Sequence, residues 1–154
     1  YMIKIILLFL TPFCFLNANY EIEDKKNIFT IKIKDKDFKT LYAKLKDEIN
    51  FESFVIVQEL DLAKATQSVS EALQKKPILK KGINILICKS SFALQMQEED
   101  IENIVFCPLG ISIYENQNKE VFISYRKYVS LKKENKIAHK INEILKNLIL
   151  KSLT

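Results

Sequence analysis

The sequence predicts an α+β domain, with elements in the order β-α-β-α-β-α-β-β-α and an antiparallel or mixed sheet packed against helices. Three observations carry this. Short stretches of alternating or continuous apolar residues mark strands. Apolar residues spaced by three and four mark helices. A strand, a polar turn and a second strand in the C-terminal half mark a hairpin. The 154 residues hold two glycines and three prolines, with no low-complexity linker and no internal repeat. Gly-rich phosphate loops therefore have little room, and the only division expected is near the N-terminus.

That division reads as a secretory signal, with a buried N-terminal strand or an uncleaved anchor as the alternatives. Lys4 precedes an unbroken apolar run at 5–10, which Pro12, Phe13, Cys14, Phe15 and Leu16 extend. The run is shorter than the roughly 20 apolar residues that span a bilayer. Leu16-Asn17-Ala18 offers a small residue at the cut. Residues 1–18 are thus expected to be removed after Ala18, giving a periplasmic or secreted product. Thr11-Pro12-Phe13 lacks the small residue that a lipid-modified Cys14 needs before it. Residues 19–154 form the single domain, with its core at about 28–150.

Residues 28–34 alternate, with Phe29, Ile31 and Ile33 on one face of a half-buried strand. Asp37 suits a helix N-cap, since its carboxylate can accept an orphan backbone N–H. Phe38, Leu41, Tyr42, Leu45 and Ile49 then form an apolar helical stripe. Residues 54–57 read as a strand, and Asp61 as the cap of a second helix with the stripe Leu62, Ala65, Val69 and Leu73. Ile83, Ile85 and Ile87 share one face of the next strand, leaving Asn84, Leu86 and Cys88 on the other. Ser90 or Ser91 is expected to cap a short helix carrying Phe92, Ala93 and Met96. Glu98-Glu99-Asp100 reads as a solvated turn or helix end. Residues 104–114 read as a strand with Pro108 at an edge or bulge, followed by a turn at Asn116-Gln117-Asn118 and a strand at 121–125. A final helix is expected over about 131–150, with Ile137, Ala138, Ile141, Ile144, Leu145, Leu148 and Ile149 on one side.

Four segments carry a family resemblance. Residues 38–45, FKTLYAKL, are similar to the first helix of the bacterial family called domain of unknown function 302. Residues 51–61, FESFVIVQELD, resemble its second strand and the helix start that follows. Residues 85–90, ILICKS, are similar to its strand that ends on a cysteine or small residue, although the family's Asn-Pro turn is replaced by Lys89-Ser90. Residues 108–115, PLGISIYE, resemble its proline-led strand ending in an aromatic-acidic pair. The resemblance spans about 28–150. It implies an α+β sandwich, often a homodimer, and brings no assigned activity or catalytic residues.

Cys88 and Cys107 are the candidate chemistry-bearing pair once Cys14 is removed. They read equally as buried thiols or as a disulfide, which would close a loop of about 20 residues and stabilise by roughly 3 kcal/mol. A reactive thiol is the third reading, because Cys88 precedes a helix start that would favour thiolate. Two sulfurs without a nearby histidine or carboxylate motif make a poor metal signature, so neither metal nor cofactor is expected. His139 is the only histidine. It falls on the polar side of the last helix, which leaves Ser-His-Asp and Cys-His arrangements without a base. The Glu98-Glu99-Asp100 run reads as charged surface, not as a catalytic pair.

The segment 126–140 holds Arg126, Lys127, Lys132, Lys133, Lys136 and Lys140 against Glu134, six charges minus one, or +5. It could contact an anionic surface. Export and the single arginine argue against nucleic acid, leaving a peripheral membrane, an acidic partner, or simply a solvated helix side. The last is the bland reading in a chain with 23 lysines. The sequence as a whole points to a non-enzymatic exported module that binds a small molecule or a protein. A thiol-based redox or sulfur-handling accessory using Cys88 and Cys107 is the alternative.

Overall fold

The computed structural model describes residues 19–131 and 136–154. The expected signal at 1–18, Lys132 and Lys133 lie outside them. Six strands form one sheet: β1 (Tyr20–Asp24), β2 (Ile28–Ile33), β3 (Val55–Asp61), β4 (Leu79–Cys88), β5 (Leu109–Asn116) and β6 (Val121–Arg126). Their order is β1-β2-β6-β5-β4-β3, and every neighbouring pair is antiparallel. Four α-helices complete the fold: α1 (Phe38–Phe51), α2 (Leu62–Ala72), α3 (Ser90–Glu99) and α4 (Lys136–Lys151). The expected α+β order holds, with β1 and a 3-10 helix, Ile101–Phe106, as additions.

The core lies on one face of the sheet. Phe29, Ile31 and Ile33 of β2 alternate inward with Val121, Ile123 and Tyr125 of β6, Leu109, Ile111 and Ile113 of β5, and Ile85 and Ile87 of β4. They pack with Phe38, Leu41, Leu45 and Ile49 of α1 and with Ile137, Ile141, Leu145, Leu148 and Ile149 of α4. Full burial of such a side chain contributes about 1.5–3 kcal/mol, so these two stripes hold the helices down. Asp37 caps α1 as expected, its carboxylate accepting from the Thr40 N–H at 2.9 Å. Asp61 caps α2 in the same way through Lys64. The β5–β6 hairpin turns where expected, with Asn116 Oδ1 accepting from the N–H groups of Asn118 and Glu120.

Five local expectations are corrected. Residues 104–106 are 3-10 helix instead of strand. Asp100 accepts from the Glu102 N–H, and fully buried Asn103 donates to the Met96 carbonyl and accepts from the Leu131 N–H. Such side-chain bonds give the backbone an alternative to a sheet ladder. Proline has no N–H to pair, and β5 begins just after Pro108. Leu131 is a bend and not helix; α4 is described over Lys136–Lys151, and the rest of the expected first turn, 132–135, lies outside the described residues. Glu98-Glu99 is the end of α3, as one of the two readings had it, but Glu99 is half-buried and not merely solvated: it accepts from the Ile137 N–H of α4 at 3.1 Å and from the Ser130 hydroxyl at 2.9 Å. The N-cap of α3 is Lys89, without a side-chain cap bond, in place of Ser90 or Ser91.

The fifth correction concerns α2. Its stripe was expected to face the core, yet Val69 and Leu73 are 58% and 59% exposed and only Ala63 of this helix is buried. The helix starts directly from the edge strand β3. Ala63 sits 3.7 Å from where a β-carbon on Gly82 would lie. The close seat is therefore the first turn, and the apolar side chains of the later turns stay exposed.

Candidate functional site

The face of the sheet opposite α1 and α4 is open except where α2 touches it at Gly82. Strand alternation sends every second side chain there, and the register arranges them in rows. Asn84 pairs with Ser112, Ser112 with Ser124, and Ser124 with Thr30, giving one row of small polar residues across four strands. In the row on one side, Leu86 pairs with Gly110, and Arg126 pairs with Ile28. In the row on the other side, Gly82 pairs with Tyr114, Tyr114 with Phe122, and Phe122 with Lys32. The Tyr114 and Phe122 rings stack at 5.1 Å between centroids and 11° between planes.

These rows make a groove. A cavity of about 280 Å³ lies over Asn84, Leu86, Gly110 and Ser112, walled by Phe106, Pro108, Tyr128, Arg126 and Lys127. Gly110 shapes its floor: a β-carbon there would stand 3.3 Å from Asn84 Oδ1 and 3.6 Å from Leu86 Cδ2. A second, mainly apolar recess of about 260 Å³ shares Ser112 and runs on to Leu62, Leu79 and Tyr114.

The polar row is only partly satisfied. The Ser124 hydroxyl bonds Thr30 at 2.9 Å and Tyr114 at 3.1 Å. Asn84 Oδ1 is buried and has no hydrogen-bond partner. An acceptor left this way costs about 1–3 kcal/mol. Among the described residues, the Ser112 hydroxyl makes no hydrogen bond, and the Arg126 guanidinium has neither ion pair nor hydrogen bond. Lys127 is engaged, its ammonium on Asp24.

The aromatic wall is fixed from the core. Asn142 of α4 accepts from the Tyr128 N–H at 3.0 Å and donates to its carbonyl at 2.8 Å. Its own carbonyl accepts from the Tyr125 hydroxyl, which burial keeps protonated well above the usual tyrosine range. The Tyr128 ring meets Phe106 edge-on at 5.0 Å.

The residues singled out from sequence fall in several places. Cys88 ends β4 and Cys107 precedes β5; both are half-buried free thiols. Cys107 Sγ lies 3.9 Å from Met96 Sδ. Burial, and secondarily Cys88, push its thiol pKa up, which disfavours a nucleophilic thiolate there. Neither cysteine lines the groove. The basic segment is divided. Arg126 and Lys127 wall the groove, while Lys136 and Lys140 stand on α4 beside Gln95, Glu98 and Glu99. His139 is exposed. The groove's own polar groups, Asn84, Ser112 and Ser124, were missed. Alternation marks the polar side of each strand, but nothing local tells which of those residues meet across strands.

The fold defines an α+β protein with one helix-covered and one open sheet face. Over residues 29–151 the chain matches the family described as Domain of unknown function DUF302, and it belongs to that family. The structure of an uncharacterized conserved DUF302 protein from Bacillus stearothermophilus is similar, with TM-score 0.69 at 14% identity, covering 83% of this chain and 99% of that one. At that identity the likeness concerns the fold. No curated protein sequence matches.

Proposed function

We propose that the protein is an exported, non-enzymatic module that holds a small ligand in the groove on its open sheet face. One observation carries this reading: Asn84 Oδ1 is buried in the groove floor without a partner. Buried polar groups are almost always paired, and a ligand donor would pair this one. The surroundings support it. Ligand sites combine apolar and aromatic walls with a few convergent polar groups, as Phe106, Tyr128, Leu86, Ser112 and Arg126 do here. The signal that the sequence predicts at 1–18 supports a periplasmic or secreted location. The alternative, a thiol-based accessory, has less support, since burial favours the protonated form of Cys107.

Thermal unfolding against a panel of small metabolites tests the reading, with Gly110→Val as the blocked control. A ligand at 100 times its Kd stabilises by about 2.7 kcal/mol. The expected result is a raised Tm for the native protein and a smaller rise, or none, for the variant. Equal rises in both proteins would place the ligand elsewhere and overturn the proposal.

A further inference from the structure

We infer that the groove is built for a small organic acid that also carries an N–H or O–H donor beside an apolar body; the inference rests on the groove being the binding site. Each part of the ligand answers a group of the groove. Arg126 is exposed and, among the described residues, has no ion-pair or hydrogen-bond partner. Its guanidinium fork matches a carboxylate. Asn84 Oδ1 is an acceptor without a donor. Ser112, opposite Asn84 in the register, can give or take a bond. Phe106, half-buried and backed edge-on by the buried Tyr128 ring, presents aromatic surface. A cavity of about 280 Å³ sits just under the range of about 300–1,000 Å³ that drug-sized ligands occupy, so the ligand is small.

The same groups discriminate against inorganic phosphate. Phosphate at neutral pH is a mixture of mono- and dianion with no apolar body. Lys127, the other cation of the wall, is already on Asp24. A P–OH could pair Asn84 Oδ1, but phosphate would leave the apolar wall of Leu86 and Phe106 unfilled. A carboxylate with a separate donor satisfies both ends of the groove at once.

The test uses the purified full chain and four probes by calorimetry: phenyllactate, 3-phenylpropionate, phenethyl alcohol and inorganic phosphate. The first two differ only in the hydroxyl donor; the third keeps a hydroxyl and lacks the acid. The native protein is expected to prefer phenyllactate to 3-phenylpropionate about tenfold, the ratio that one satisfied buried acceptor supplies. Asn84→Leu is expected to abolish that preference, and Arg126→Met to weaken both acids alike while leaving phenethyl alcohol unchanged. Equal binding of the two acids, phosphate binding as tight as phenyllactate, or no binding of either acid each overturns the ligand class. In those cases Gly110→Val separates the two failures. If another ligand binds the native protein and not this variant, the groove stands and only the class is wrong. If that ligand binds both equally, the groove itself is wrong.

Discussion

Glu115 shows how much one carboxylate depends on its setting. It lies on the helix side of β5, 5% exposed, with the ammonium groups of Lys80 and Lys81 at 2.8 and 3.1 Å. The hydrogen bond from Lys80 and then that from Lys81 lower its pKa below 4.5 against the opposing effect of burial. A lowered folded-state pKa means stability that is complete above the ordinary carboxylate value and is lost as pH falls through the folded one. Both lysines are more than 40% exposed, so solvent screening keeps the contribution modest. Glu115→Gln is expected to destabilise by about 1 kcal/mol at pH 7, with the gap closing below pH 4.5. Urea unfolding of both proteins across pH measures this; a gap constant down to pH 3 would refute the assignment.

Among the elements, α1 and α2 have similar apolar spacing and different fates. The α1 stripe is buried at Phe38, Leu41, Leu45 and Ile49, whereas α2 leaves Leu62, Val69 and Leu73 exposed. The difference lies in where each helix leaves the sheet. Leu45→Ala is expected to cost about 2–5 kcal/mol, as truncation in a packed core does. Val69→Ser and Leu73→Gln are each expected to stay within about 0.5 kcal/mol. Denaturant midpoints compare them. A loss above 2 kcal/mol on α2 would mean that its stripe is covered in solution.

For the whole molecule, the sheet edge bears on the proposed cut after Ala18. Tyr20 opens β1, and the Asn19 carbonyl already accepts from the Lys34 N–H at 2.9 Å. A cut after Ala18 therefore leaves the whole of β1 in the product, with its Glu21–Lys34 ion pair. Cells making the chain are expected to release a product whose intact mass begins at Asn19. Recovery of the uncut chain alone, inside the cell, would contradict export.

The sequence by itself determined the elements that repeat a simple period: the alternating strands, the α1 and α4 stripes, the Asp37 and Asp61 caps and the Asn116 turn. These depend on neighbours a few residues apart. It also carried the family, through segments spread along the chain. The tertiary structure decided what depends on distant partners. Asn103 and Glu99 tie the 3-10 helix to Leu131 and α3 to Ile137 of α4 through bonds across 28 to 38 residues. The seat of α2 on Gly82 exposed a stripe that periodicity alone would bury. The groove exists because the register of β4, β5 and β6 sets Asn84 beside Ser112 and brings Arg126 to the same face. A strand's alternation fixes which side a residue takes, and only pairing fixes whom it meets there.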